Sequence, residues 1–167
     1  NISFEHGNAF DTGLDGNSFD LVLERALIHH IKDLQACFKE AYRMLRNNGF
    51  YIIQDRTPED CLLGGNDNHI RGYFFELFPR LVEKETNRRY HSQFVIKTLK
   101  TAGFKNIEEV KLWEIRRVYE NKEQLLKDLG ERTGRSILHE LDDKELKLLL
   151  DYLDESISTD HNIVEKD

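Results

Sequence analysis

The chain has 167 residues, of which 39% are apolar and 33% charged, and it carries a formal net charge of −7. That length supports a domain with a real hydrophobic core, and the composition excludes collagen-like, repeat and wholly disordered chains. The negative balance argues against a nucleic-acid backbone as the main partner. No run approaches the roughly 18–20 apolar residues of a membrane span, and no secretory pattern is read at the start, so a cytoplasmic protein is expected.

The chain opens on an extended segment, residues 1–8, in which Ile2 and Phe4 alternate with polar neighbours. A polar loop over residues 13–18 leads to Phe19-Asp20-Leu21-Val22-Leu23, a run typical of strands covered on both faces. Asp33 is placed to cap a helix whose apolar positions Leu34, Cys37, Phe38, Ala41 and Leu45 keep the three-four rhythm up to Asn47-Asn48-Gly49. Phe50-Tyr51-Ile52-Ile53 follows as a second buried strand, which predicts a βαβ unit with parallel strands.

Beyond Asp55 a loop precedes Ile70, Tyr73, Phe74, Leu77, Phe78 and Leu81 at helical spacing, with Pro79 set to interrupt them. Ser92 is expected to cap a helix that stops at Gly103, and residues 107–119 read as an edge strand of the same sheet. Asn121 with Gln124, and Asp142 with Glu145, resemble capping boxes of two further helices, and Leu141 is placed to staple onto Leu146. Residues 158–167 read as a flexible tail and residues 1–157 as one partial domain, with 56–92 a candidate substrate-covering insert.

Four segments occur in a telling order: Gly7-Asn8-Ala9, Asn17-Ser18-Phe19-Asp20-Leu21-Val22, Leu27-Ile28-His29-His30-Ile31-Lys32-Asp33, and Glu40-Ala41-Tyr42-Arg43-Met44-Leu45-Arg46-Asn47-Asn48-Gly49-Phe50. This set resembles the downstream part of class I S-adenosylmethionine-dependent methyltransferases, in particular the type 11 group that includes the ubiquinone and menaquinone methylases. The resemblance implies an α/β fold: an incomplete doubly wound, Rossmann-like sheet with helices on both faces and an extra helical C-terminal part. It also implies methyl transfer from S-adenosylmethionine to a small-molecule acceptor. The glycine-rich turn of that family is not found in this sequence, which makes the chain a truncated domain in this reading and inactive alone.

By the same resemblance Asn8, Ala9 and Phe10 meet the adenine of the cofactor, and Glu24 and Arg25 pass beneath its methionine and sulfonium. Glu24 can equally pair on the surface with Arg25 or Arg56. His30 stands near a position that faces the reaction site and is the candidate base; His29 is expected to pack against the following helix. Arg71, Tyr73 and Phe74 are the candidate acceptor-binding residues, or else plain core. Histidines and acids show no metal-ligand spacing, so no metal site is expected. Exposed sheet edges leave room for self-association. A nicotinamide-dependent oxidoreductase is disfavoured by the lack of a Tyr-x-x-x-Lys set, and RNA methylation by the overall acidity. A non-catalytic interaction module that keeps the methyltransferase fold is the alternative function.

Overall fold

In the computed structural model, which describes residues 2–167, Phe19–Arg25 forms β1, Leu34–Met44 forms α1 and Leu45–Gln54 forms β2. The two strands pair in parallel, with Leu21 opposite Phe50, Leu23 opposite Ile52 and Glu24 opposite Ile53. The expected βαβ unit is therefore present and the fold is α/β. Asp33 caps α1, its carboxylate accepting from the Ala36 N–H at 3.0 Å.

The helix ends earlier than its apolar rhythm suggests, because Leu45 is already extended, and the chain turns at Asn48 with φ 65°. A Cβ on Gly49 would lie 3.0 Å from the Arg46 carbonyl oxygen and 3.2 Å from that of Asp20. Both are backbone atoms, so a side chain there would push loop and strand apart by a few tenths of an ångström, and glycine avoids this. Residues 2–7 join no strand: Ile2 and Phe4 are exposed, and the first pairing in the segment is the tight bridge from Asn8 to Asp11.

The described residues form two compact units. One comprises the chain up to Thr57 together with Arg88–Glu109, and the other Pro58–Asn87 with Val110–Asp167. The stretch expected as a single insert, 56–92, is thus divided between them.

In the first unit α5, Ser92–Ala102, packs on α1, and Ile28, Leu34, Cys37, Phe38, Leu99 and Ala102 make the core, with Tyr51 and Ile53 of β2 against it. The opposite face of the two strands leaves Leu21, Leu23, Phe50 and Ile52 between 48% and 72% exposed, so among the described residues only one face is covered. Ser92 is the first residue of α5 and not its cap; His91 holds the cap position, and its side chain does not cap the helix. Gly103 closes the helix at φ 114°, as expected of a left-handed terminus.

The second unit holds α2 (Pro58–Cys61), α3 (Ile70–Leu77), α4 (Arg80–Thr86), β3 (Ile115–Asn121), α6 (Lys122–Gly130), α7 (Asp143–Ser156) and β4 (His161–Lys166). Pro79 separates α3 from α4. The Asp142–Glu145 capping box is complete, whereas Gln124 returns its bond to the Glu120 N–H, one residue before the Asn121 cap.

Two expectations are corrected. The edge strand is shorter than residues 107–119 and belongs to a separate antiparallel sheet with β4. The segment expected as a flexible tail supplies that partner, because Ile163 and Glu165, 1% and 2% exposed, alternate inward into the second core.

Candidate functional site

Strand alternation decides which way the residues at the end of β1 point. Glu24 shares a face with Val22, toward α1, and its carboxylate accepts from the Cys37 thiol at 3.2 Å. It pairs with neither Arg25 nor Arg56, which corrects the surface reading. Burial, with Glu24 beside it, pushes the Cys37 thiol up to about 12, so sulfur stays the donor. The second Glu24 oxygen, Oε2, is buried beside the Tyr51 hydroxyl, which is turned toward it as a donor. Burial also raises the Tyr51 hydroxyl well above the ordinary tyrosine value.

Past Arg25 the chain makes a sharp turn. Ala26 adopts φ 50°, a left-handed conformation that costs a non-glycine residue about 1–2 kcal/mol, and its N–H is anchored on the Gln54 carbonyl at 2.8 Å. The turn carries the 3-10 segment Ile28–His30 back over the end of β2. There the Nδ1 of His29 lies 2.8 and 3.0 Å from the two carboxylate oxygens of Asp55, the residue after β2. Asp55 also receives the backbone N–H of Arg56 at 2.8 Å and of His29 at 3.3 Å, and the Arg89 guanidinium at 2.9 Å. The Arg89 and Asp55 side chains are 1% and 6% exposed.

With so many donors converging on it, Asp55 accepts and His29 Nδ1 carries the proton. The Nε2 of His29 has no partner among the described residues. Burial holds the His29 pKa below its ordinary value, outweighing the upward pull of Asp55. His30 is exposed, its ring 4.0 Å from that of His29, with no side-chain hydrogen bond. The expectation that His29 is the bland histidine of the pair is therefore not what the geometry shows.

Asn8 accepts the Phe10 N–H on Oδ1 at 3.0 Å, and the Asp11 N–H bonds back to the Asn8 carbonyl at 3.1 Å. Asn8, Ala9 and Phe10 thus form one tight turn in the first unit, in which Asn8 Oδ1 keeps a second lone pair. Arg25 is exposed at the end of β1.

Arg71, Tyr73 and Phe74 lie on α3 in the second unit. Phe74 is 0% exposed and has no surface to offer a ligand. Arg71 is held by Asp167 at 3.1 and 3.2 Å with Glu85 3.7 Å away. Tyr73 packs against the core and edge-on to Tyr152. The core reading thus accounts for these contacts. Asp55 and Arg89 carry no sequence motif; the only hint was an acid placed directly after an apolar strand. Among the described residues no group of three or more His, Cys, Asp or Glu is arranged to hold a metal ion, and no helix is long and apolar enough to cross a membrane.

Residues 1–53 match a family model described as a methyltransferase domain. The chain is similar to an uncharacterized methyltransferase, YcgJ, of Bacillus subtilis (strain 168), at 31% identity over 71 residues. That alignment covers 42% of this chain and 28% of the relative, so the chain spans little more than a quarter of the curated relative's length. Among solved structures it is similar to phosphoethanolamine N-methyltransferase 2 of Haemonchus contortus in complex with S-adenosyl-L-methionine, at 21% identity over 95% of this chain and 36% of that one, with a TM-score of 0.44. A second structure of that enzyme, with phosphomonomethylethanolamine and S-adenosylhomocysteine, gives 22% identity, 89% and 31% coverage, and a TM-score of 0.42.

Proposed function

We propose that this chain is part of an S-adenosylmethionine-dependent methyltransferase acting on a small-molecule acceptor. The observation that carries the reading is the coincidence of the matched residues 1–53 with the parallel βαβ unit. Glu24, Arg25, His29, His30 and Asp55 gather at or just past the carboxyl ends of β1 and β2, where doubly wound sheets take ligands.

The residues present suit the cofactor. The turn Asn8-Ala9-Phe10 offers an acceptor and backbone donors of the kind adenine requires. Glu24, with Arg25 next to it, places a carboxylate at the end of β1, where a positively charged sulfur would be electrostatically favoured. When bound, the cofactor supplies a methyl group on a positively charged sulfur. The residues of this chain bind and orient it, and proximity supplies most of the acceleration.

Calorimetric titration of the natural full-length protein with S-adenosylmethionine tests the reading. Asn8→Ala and Glu24→Gln are each expected to weaken binding about tenfold, or about 1.4 kcal/mol; unchanged affinity in both variants sinks the assignment. The 167 residues contain no Gly-x-Gly-x-Gly run, and we infer that this chain alone binds the cofactor weakly or not at all, which micromolar binding to it overturns. Self-association through the open edges of β1 and β2 is part of the same reading, and a concentration-independent monomer mass in light scattering removes it.

A further inference from the structure

We propose that His29 is the proton-accepting residue of this site, positioned by Asp55 and Arg89, and that the methyl acceptor is therefore an oxygen or nitrogen nucleophile that must lose a proton. The inference rests on the methyltransferase reading and deepens it.

Three observations converge. First, Asp55 fixes the tautomer: bonded through Nδ1 at 2.8 Å, the ring keeps its proton there and presents a bare lone pair at Nε2. Second, the support is built rather than incidental. Asp55 is clamped by two backbone N–H groups and by Arg89, which reaches it from the stretch before α5, and the Arg89 side chain is 1% exposed. Third, the backbone spends strain to bring the ring there, through the left-handed Ala26. The charged and titratable groups facing His29 are Asp55, Arg89 and His30. Burial disfavours the imidazolium most, Asp55 favours it, and Arg89 and His30 add smaller disfavouring contributions; the balance lies below the ordinary value, so the resting ring is a neutral acceptor at neutral pH and Asp55 steadies the charge once a proton arrives. His30 touches the His29 ring but has no side-chain hydrogen bond among the described residues to fix its tautomer.

In the step itself the acceptor's O–H or N–H bond breaks, its proton goes to His29 Nε2, and the electron pair left behind forms the bond to the methyl carbon as the carbon–sulfur bond breaks and its pair returns to sulfur. No further co-reactant is needed. An acceptor with no proton to lose, such as a thioether, gains nothing from His29.

Long-range nitrogen–proton NMR of this chain at neutral pH reads the tautomer directly, without a variant. The expected result is a His29 protonated on Nδ1 and bare on Nε2, with Asp55→Asn or the milder Arg89→Lys mixing the tautomers. A His29 protonated on Nε2 overturns the proposal. The second arm uses the full-length protein with S-adenosylmethionine and two probe acceptors, catechol and ethanolamine. His29→Gln is expected to lower kcat about 100-fold or more with the KM for the cofactor unchanged and the acidic limb of the pH profile lost. His30→Gln should stay within about threefold, and Asp55→Asn should shift that limb. Equal rates in His29→Gln and the parent, or transfer to neither probe, overturn it. Absence of cofactor binding by calorimetry instead removes the methyltransferase reading, while the tautomer result stands.

Discussion

Arg135 sets the energetics of the second unit. Its guanidinium, 1% exposed, bonds Asp128 at 2.9 Å, the Tyr119 hydroxyl at 2.9 Å and Glu165 at 2.5 Å. Replacing it by Met leaves two buried carboxylates short of their main counter-charge, and we expect a loss of about 3–5 kcal/mol in the denaturant-unfolding transition of that unit. Tyr119→Phe, which removes one hydroxyl from the same network, should cost about 1–3 kcal/mol. In the first unit Glu40 governs acid sensitivity. Hydrogen bonds from Arg43, and then from Thr12, overcome burial and hold its carboxyl at about 2, below the ordinary 4.5. A depressed carboxyl pKa stabilises the fold above the ordinary value, and that contribution disappears as pH falls from about 4.5 toward about 2. The prediction is an acid-dependent unfolding midpoint that flattens over this window in Glu40→Gln. His29, also depressed, withdraws its contribution as pH falls below the ordinary imidazole value, so the two effects have the same sign in separate windows.

At the scale of the element, helix ends are where single substitutions have a defined cost. Gly103 sits at φ 114°, and a Cβ there would come within 3.0 Å of the Tyr42 ring. Gly103→Ala should destabilise the first unit by about 1–2 kcal/mol, measured by thermal or denaturant unfolding. Asp142 accepts from the Lys144 and Glu145 N–H groups at 2.8 and 2.9 Å. Asp142→Ala should cost about 1 kcal/mol and raise amide exchange in the first turn of α7 before other regions respond. β2 illustrates a different control: its register is set by pairing with β1, and the irregularity between Phe19 and Leu21 absorbs the turn at Asn48.

For the whole molecule, the division into two units, each with its own apolar cluster, makes stability local. Ending the chain after Asp160 removes Ile163 and Glu165 from the second core and leaves β3 without its pairing partner. Amide exchange should then rise throughout α6 and α7, while the amides of α1, α5 and β2 keep their protection. Equal loss of protection in both sets counts against local stability. The exposed Leu21, Leu23, Phe50 and Ile52 place a continuous apolar face on the first unit, which makes light scattering the natural companion measurement.

Local chemistry alone determined much of the element map. Asp33, Asp142, Pro79 and Gly103 act within a turn of their own position, so their effects are written in neighbouring residues, and the ordered segments of residues 7–50 carried the family pattern for the same reason. Partners distant in sequence were not legible. That Glu24 meets Cys37 and not Arg25 follows from the face β1 buries; that His29 and not His30 meets a carboxylate depends on Asp55, 26 residues away. Residues 158–167 looked like a tail because most of them are polar; the strand they form exists through pairing with β3, and only Ile163 and Glu165 are fully buried. A strand edge, a buried ion network and a histidine–carboxylate pair each need groups from separate stretches of chain, and only the packed structure decides which of them meet.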